Sequence, residues 1–217
     1  MPQSTLVHPE HVPKSPSVPR NTAFFSTGIL AGAASLPVEG AFLSFQTRRP
    51  DFTAGHKHIR SSALHVLPRT GIRFYTFDEI RFYSSQYLKL PTTLCGALGG
   101  AAGGFNEVVI DSLVSKYRLP PIHASSTQAG KLFLCFGTYT FLSTNLSDEL
   151  PPRPFWRCWL MGAAAGGFGS AITAAVVEGA RGRALHTAAL RGALVIGTVI
   201  SVQVTSCAAT LRAFDID

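Results

Sequence analysis

Charge is what this sequence has least of. Only 14% of its 217 residues are Asp, Glu, Lys or Arg, against about 25% in an ordinary soluble domain. Acids are the scarcer sign, 12 against 19 bases. That excess comes without a basic helix and without aromatic residues interleaved among the bases, so the nucleic-acid footprint is missing and no nucleic-acid partner is expected. No Cys-x-x-Cys pair occurs. Cys95, Cys135, Cys158 and Cys207 each fall in a different apolar segment, a pattern of free buried thiols rather than of a disulfide or metal centre. His56, His58 and His65 have no ligand partner at zinc-binding spacing. The glycine run from Gly99 to Gly104 lacks the Lys-Ser/Thr that follows in a phosphate-binding loop, which leaves helix packing as its role. No metal, no cofactor and no enzymatic activity are expected. The first twenty residues lack both an apolar signal core and an Arg-rich amphipathic pattern. They hold five prolines and Glu10 and read as a polar disordered tail.

What the chain has is apolar length. Val, Ile, Leu, Ala, the aromatics, Met and Cys make up 46%, and twenty glycines are concentrated in uncharged runs. A bilayer-spanning helix needs about 20 mostly apolar residues, and small residues let such helices approach closely. The pattern predicts an all-α membrane protein with six spans, at 22–47, 61–88, 92–116, 126–146, 155–179 and 185–212, between a tail at 1–21 and a short tail at 213–217. Asn145-Leu-Ser147 fits the glycosylation triplet by pattern alone.

The odd spans repeat. Glycines stand eleven residues before each of three acids, with Gly28 before Glu39, Gly100 before Asp111 and Gly167 before Glu178. Seven before the same acids stand Gly32, Gly104 and Ala171. Each odd span thus carries a small-xxx-small step in one register, the pattern of tight helix contact in lipid. The acids lie 72 and 67 residues apart, so the unit is a hairpin of two spans, giving repeats at 22–88, 92–146 and 155–212. Acids at such depth need partners. Arg181 stands three after Glu178, whereas Phe42 and Val114 occupy that offset after Glu39 and Asp111.

The run from Pro37 through Glu39 to Gln46 resembles the mitochondrial carrier signature, proline-x-acid-x-x-base-x-base-x-Gln. Phe77-Asp78-x-x-Arg81 resembles the family's aromatic-acid-x-x-base motif, and GIRFYTFD at 71–78 with FGTYTFL at 136–142 is most similar to the tricarboxylate (citrate) carriers. The resemblance spans about 22–212. It implies a six-helix carrier fold in a shortened form. It makes Pro37, Glu39, Gln46, Asp111, Glu178 and Arg181 remnants of a matrix gate, and Phe77, Asp78, Arg81 and Tyr139 remnants of a gate toward the intermembrane space. It also implies a substrate site for carboxylates at Arg69, Arg73 and Arg191, for which guanidinium gives bidentate geometry. Lys131 stands eight before Tyr139, as Arg69 stands eight before Phe77, and joins that level. Cys135 takes the place of an arginine expected on the fourth helix.

The departures set the functional expectation. Val109 and Val176 replace the signature proline, and Thr140, Ser143, Val204 and Cys207 leave the second gate one third charged. Alternating access needs two gates that form and break in turn. The chain is therefore expected to be a non-transporting structural or accessory subunit of a larger inner-membrane assembly. The alternatives are a working carrier for a tricarboxylate-like anion and a four-span protein of the inner-membrane translocase type. The cavity bases have bland roles open to them as well, snorkelling, pairing with Asp78 or Glu39, or contact with lipid headgroups. Expected partners are other inner-membrane subunits and membrane lipids, including anionic phospholipid such as cardiolipin. Arg48, Arg49, Lys57, Arg60, Lys116, Arg118, Arg181 and Arg183 crowd the odd-to-even loops. The positive-inside rule puts those loops in the matrix and both termini in the intermembrane space.

Overall fold

The structure, a computed structural model, describes residues 18–46, 52–116, 120–146, 154–177 and 179–214, with backbone alone at 18, 19, 46, 52–61, 115 and 116. It is all-helical. Six helices follow one another, α1 (Val18–Gln46), α2 (Phe52–Gln86), α3 (Thr92–Lys116), α4 (Ile122–Asn145), α5 (Phe155–Val177) and α6 (Arg183–Ala213). The shortest has 23 residues, long enough for a bilayer core at 1.5 Å per residue. Three are also apolar enough to cross one, over Arg20–Phe45, Phe155–Val177 and Arg183–Ala213.

Three helices start four or more residues earlier than expected, among them α4, at Ile122 rather than 126. α1 begins at Val18, so Arg20 and Asn21 belong to the helix and not to the tail. The reason is a pair of tertiary hydrogen bonds described below, which hold the first turn. α2 begins at Phe52 rather than 61 and takes His56 and His58 into the helix. Pro37 and Pro68 sit inside α1 and α2 without ending them, although each removes one donor from the ladder.

Each helix packs against its two neighbours in sequence, and α6 returns to α1, closing a ring of six. Neighbours run antiparallel. Small residues set the spacing. A methyl added at Gly28 would lie 2.8 Å from the Thr70 carbonyl oxygen, one at Gly100 2.5 Å from that of Leu132, and one at Gly104 2.9 Å from that of Gln128. A methyl at Gly32 would collide with the Thr70 hydroxyl. In the third hairpin the tight crossing lies one residue earlier than expected. A methyl at Gly166 would collide with the Gly192 carbonyl, while one at Gly167 would meet Ala189 and Ala193 at 3.3 and 3.5 Å. α3 bears two such stripes. Gly96, Gly100 and Gly104 face α4, whereas Gly99 and Gly103 face the Phe77 and Arg73 carbonyls of α2. The four cysteines are free and buried.

The polarity of the ring is inverted relative to a soluble domain. Leu30, Leu64, Phe105, Phe141, Trp156 and Leu190 stand on the outside, about 40–80% exposed, while Asp78, Arg73, Glu107 and Gln203 are buried. Apolar outer surface on every helix is what lipid would cover. On α2, Arg73 and Asp78 are buried inside the ring and Arg69 faces its cavity.

Candidate functional site

The inside of the ring has two levels. The lower is filled by Phe74, Phe136, Tyr139, Ile196, Val199 and Ile200, with Phe77 packed against them. Phe74 and Phe136 meet edge to face at 5.7 Å between centroids, and Phe77 lies 4.7 Å from Phe136. This plug spans α2 and α4 across the ring centre. Phe77 and Tyr139, expected at a gate, are part of it.

Above the plug lies a cavity of about 440 Å³. All four expected binding bases, Arg69, Arg73, Lys131 and Arg191, line it, together with Glu39, Glu107 and Asp111. Arg69 and Lys131, aligned by the eight-residue offset, both line this cavity. Arg191 keeps about half its side chain exposed, so the cavity communicates with the surroundings at the end where the odd helices finish.

The arginines face carboxylates of the chain itself. Arg73 donates from Nε to Glu107 Oε2 at 2.7 Å. Arg69 brings its Nε to 3.3 Å from Glu107 Oε1. Gln128 donates to Glu107 Oε2 at 3.3 Å. Both Arg73 and Glu107 are at least nine-tenths buried. Of the bland roles open to the cavity bases, pairing with Glu39 is taken by Arg191, while Arg69 and Arg73 pair with Glu107 rather than with Asp78 or Glu39. Glu107 went unread in the sequence, yet a signal existed. It is the next four-residue step after Gly99 and Gly103, the stripe facing α2, which puts it directly against Arg73. Nearby, Asn106 donates to Thr76 Oγ1 at 3.1 Å.

Glu39, which lacks a cation at the sequence offset, receives one from across the ring closure, Arg191 of α6 at 3.6 Å. Lys131 makes no ion pair among the described residues. Asp111 lines the cavity one turn beyond Glu107. Arg181 is exposed, and Glu178, its expected partner, lies outside the described residues, as does the side chain of Gln46.

The far end of the ring is held differently. Asp78, fully buried, accepts two hydrogen bonds from Arg20 of α1, 3.0 Å from Nε and 3.1 Å from Nη2. Arg81 approaches the same carboxylate at 3.6 Å from one turn along α2. Asn21 donates to Glu79 at 2.7 Å. Gln203 of α6 donates to Thr27 Oγ1 at 2.9 Å. The charge of the Phe77-Asp78-x-x-Arg81 motif is therefore answered by an odd helix and not by the other even helices.

The four cations and three carboxylates of the cavity leave a small positive surplus centred on Lys131. The arrangement can tie α2, α3 and α4 through Glu107, and α1 to α6 through Glu39, while Lys131 makes no ion pair among the described residues. No protein-family model, curated protein or solved structure matches this chain.

Proposed function

We propose that this chain is a six-span, carrier-like protein of the mitochondrial inner membrane that acts as a structural or accessory subunit of a larger membrane assembly, and is neither an enzyme nor a transporter. The observation that carries the reading is the commitment of Arg69, Arg73 and Arg191 to Glu107 and Glu39. A transporter's cavity bases must be offered to a solute and released from it in each cycle, and its two gates must alternate. Here the same bases bridge neighbouring helices.

The other end supports this. Arg20 and Asp78 close α1 on α2 through a doubly hydrogen-bonded pair, a geometry of fixed orientation. Nothing charged on α4 or α6 occupies the matching gate positions, where Thr140, Ser143, Val204 and Cys207 stand. A bundle latched on one side by one pair serves as a rigid body better than as a rocking one.

In this reading both termini face the intermembrane space and the basic odd-to-even loops face the matrix. The apolar outer face contacts neighbouring subunits and lipid, with anionic phospholipid drawn to the basic loops. The test is migration on a native gel after extraction in a mild detergent. The protein is expected in a species several times its own mass, and a small free species overturns the assignment.

A second reading, a carrier of a tricarboxylate-like anion, is favoured by one observation, Lys131 at the wall of a cavity open at one end with no ion pair among the described residues. It requires saturable exchange in liposomes that Lys131→Ala abolishes. A four-span translocase-like protein finds no support in a closed ring of six helices.

A further inference from the structure

The outer face of the second hairpin carries a groove of about 470 Å³, separate from the central cavity. It follows α4 from Phe141 to Phe133, with Leu94 of α3 and Phe168 of α5 beside it and the buried Ala97 and Gly137 beneath. Phe133 and Phe141 stand eight residues apart on one helix, about 12 Å. That is close to the depth of one leaflet in a hydrocarbon core about 30 Å thick. Apart from the hydroxyls of Thr93 and Thr138, every side chain lining the groove is apolar.

Its mouth, where Pro91 and Thr93 join the lining, has the opposite character. Pro91 immediately precedes α3, and the Cys95 amide donates to the Pro91 carbonyl at 3.0 Å. The amides of Thr92, Thr93 and Leu94 therefore belong to the open end of the helix. A helix of 25 residues with no acid in its first turn presents its positive pole there. Two residues before Pro91 stands Lys89, exposed and held at φ +49°, the one non-glycine residue with positive φ among the described residues. Turns that end helices place glycine at such a conformation. A lysine there keeps a cation at the mouth in spite of the strain.

We propose that the groove and its mouth bind one phospholipid, with an acyl chain laid between Phe133 and Phe141 and the phosphate met by Lys89 and the amide end of α3. Charge selects the headgroup, because a cation beside a helix N-terminus favours a phosphate. Size selects the tail. The volume falls among those of small-molecule sites, whereas a stable protein contact buries about 800 Å² on each side, and this groove ends at Phe133, partway along α4. The site lies at the end of the ring opposite the basic odd-to-even loops, so it is distinct from the lipid attraction described for those loops. It rests on the membrane placement proposed above and on neither the organelle nor the accessory role.

The experiment is native mass spectrometry of the full-length protein in a non-ionic detergent with dioleoyl phosphatidylglycerol added. One phosphatidylglycerol is expected to stay bound to wild type. Dioleoylglycerol, which lacks the phosphate, and glycerol phosphate, which lacks the tails, are not retained. Thr138→Trp fills the groove from its part-exposed wall and is expected to lose the adduct. Leu160→Trp, on the exposed face of α5 outside the groove, keeps it. Lys89→Gly is expected to weaken binding about fivefold, the contribution of one basic group at an anionic lipid surface, and Lys89→Arg to preserve it. Glycine takes the left-handed backbone without strain, so Lys89→Gly is expected to unfold no earlier than wild type in lipid-free detergent. Its loss of lipid is then separate from any loss of fold.

Thr138 replaced by photo-reactive benzoylphenylalanine is expected to capture lipid on irradiation of native membranes. Capture of a second copy of the chain, or of another protein, as the main product overturns the inference. So does equal retention by wild type and Thr138→Trp, equal retention of dioleoylglycerol, or undiminished binding by Lys89→Gly. Protein that stays folded and soluble once detergent is removed overturns the membrane placement and this site with it.

Discussion

Arg73 of α2 and Glu107 of α3 form a buried pair, 2.7 Å from Nε to Oε2, at the wall of the central cavity. Each is at least nine-tenths buried, so neither can turn to water when the other is removed. Glu107→Ala is expected to cost about 3–5 kcal/mol, because uncompensated buried charge remains. Arg73→Met combined with Glu107→Leu is expected to restore most of that, since a well-packed apolar pair replaces a buried ion pair at little cost. Thermal unfolding in detergent measures both. A double variant as unstable as Glu107→Ala would refute the ion-pair account.

The pair formed by Arg20 and Asp78 predicts an unexpected dependence on the start of α1. Arg20→Gln should lower stability by about 1.5–3 kcal/mol, the range for hydrogen bonds to a charged group, although by sequence it looks like part of the tail. Asp78→Ala should cost at least as much, because it strands two guanidinium groups. An Arg20→Gln variant as stable as wild type would contradict the role given to this pair.

Glycine positions should divide sharply. Gly100→Leu and Gly166→Ala each drive side-chain atoms into the partner backbone and should prevent recovery of folded protein. Gly167→Ala needs only a shift of a few tenths of an ångström away from the Ala189 carbonyl oxygen, 3.3 Å from the added methyl, and should cost far less. Gly130 faces open space, so Gly130→Ala should stabilise α4 by about 1 kcal/mol through helix propensity. Size-exclusion profiles of the four variants decide the point, and equal behaviour of Gly166→Ala and Gly167→Ala would sink it.

Topology is open to labelling because the four native cysteines are buried. Tyr87→Cys lies between α2 and α3, and Arg181→Cys between α5 and α6; both positions are exposed. Impermeant reagent applied to intact mitochondria should modify position 87 after the outer membrane is opened, and position 181 only after the inner membrane is opened too. Modification of both before the inner membrane is opened would exclude the six-span arrangement.

The helices were legible in the sequence because apolar length and small-residue spacing are local properties. Gly28, Gly32, Gly100 and Gly104 announced their crossings for the same reason. Gly167 misled by one position, since Gly166, Gly167 and Gly169 offer adjacent registers and only packing against Gly192 selects among them. Arg69, Arg73 and Arg191 were singled out through the carrier resemblance, and Lys131 through its eight-residue offset from Tyr139, which matches that of Arg69 from Phe77. Their partners were not, because ion pairing across helices depends on which face of α3 meets α2, and Glu107 looked like one acid among several. Arg20 was missed because proline-rich surroundings hid a first helical turn held by tertiary contacts.

The central claim is that the cavity arginines serve the bundle and not a passing solute. The most direct measurement is citrate and malate exchange by purified wild-type protein in liposomes preloaded with either anion. The account predicts no exchange above that of protein-free liposomes. Saturable exchange that disappears in Arg73→Ala, with the variant still folded, would contradict it and make the protein a carrier.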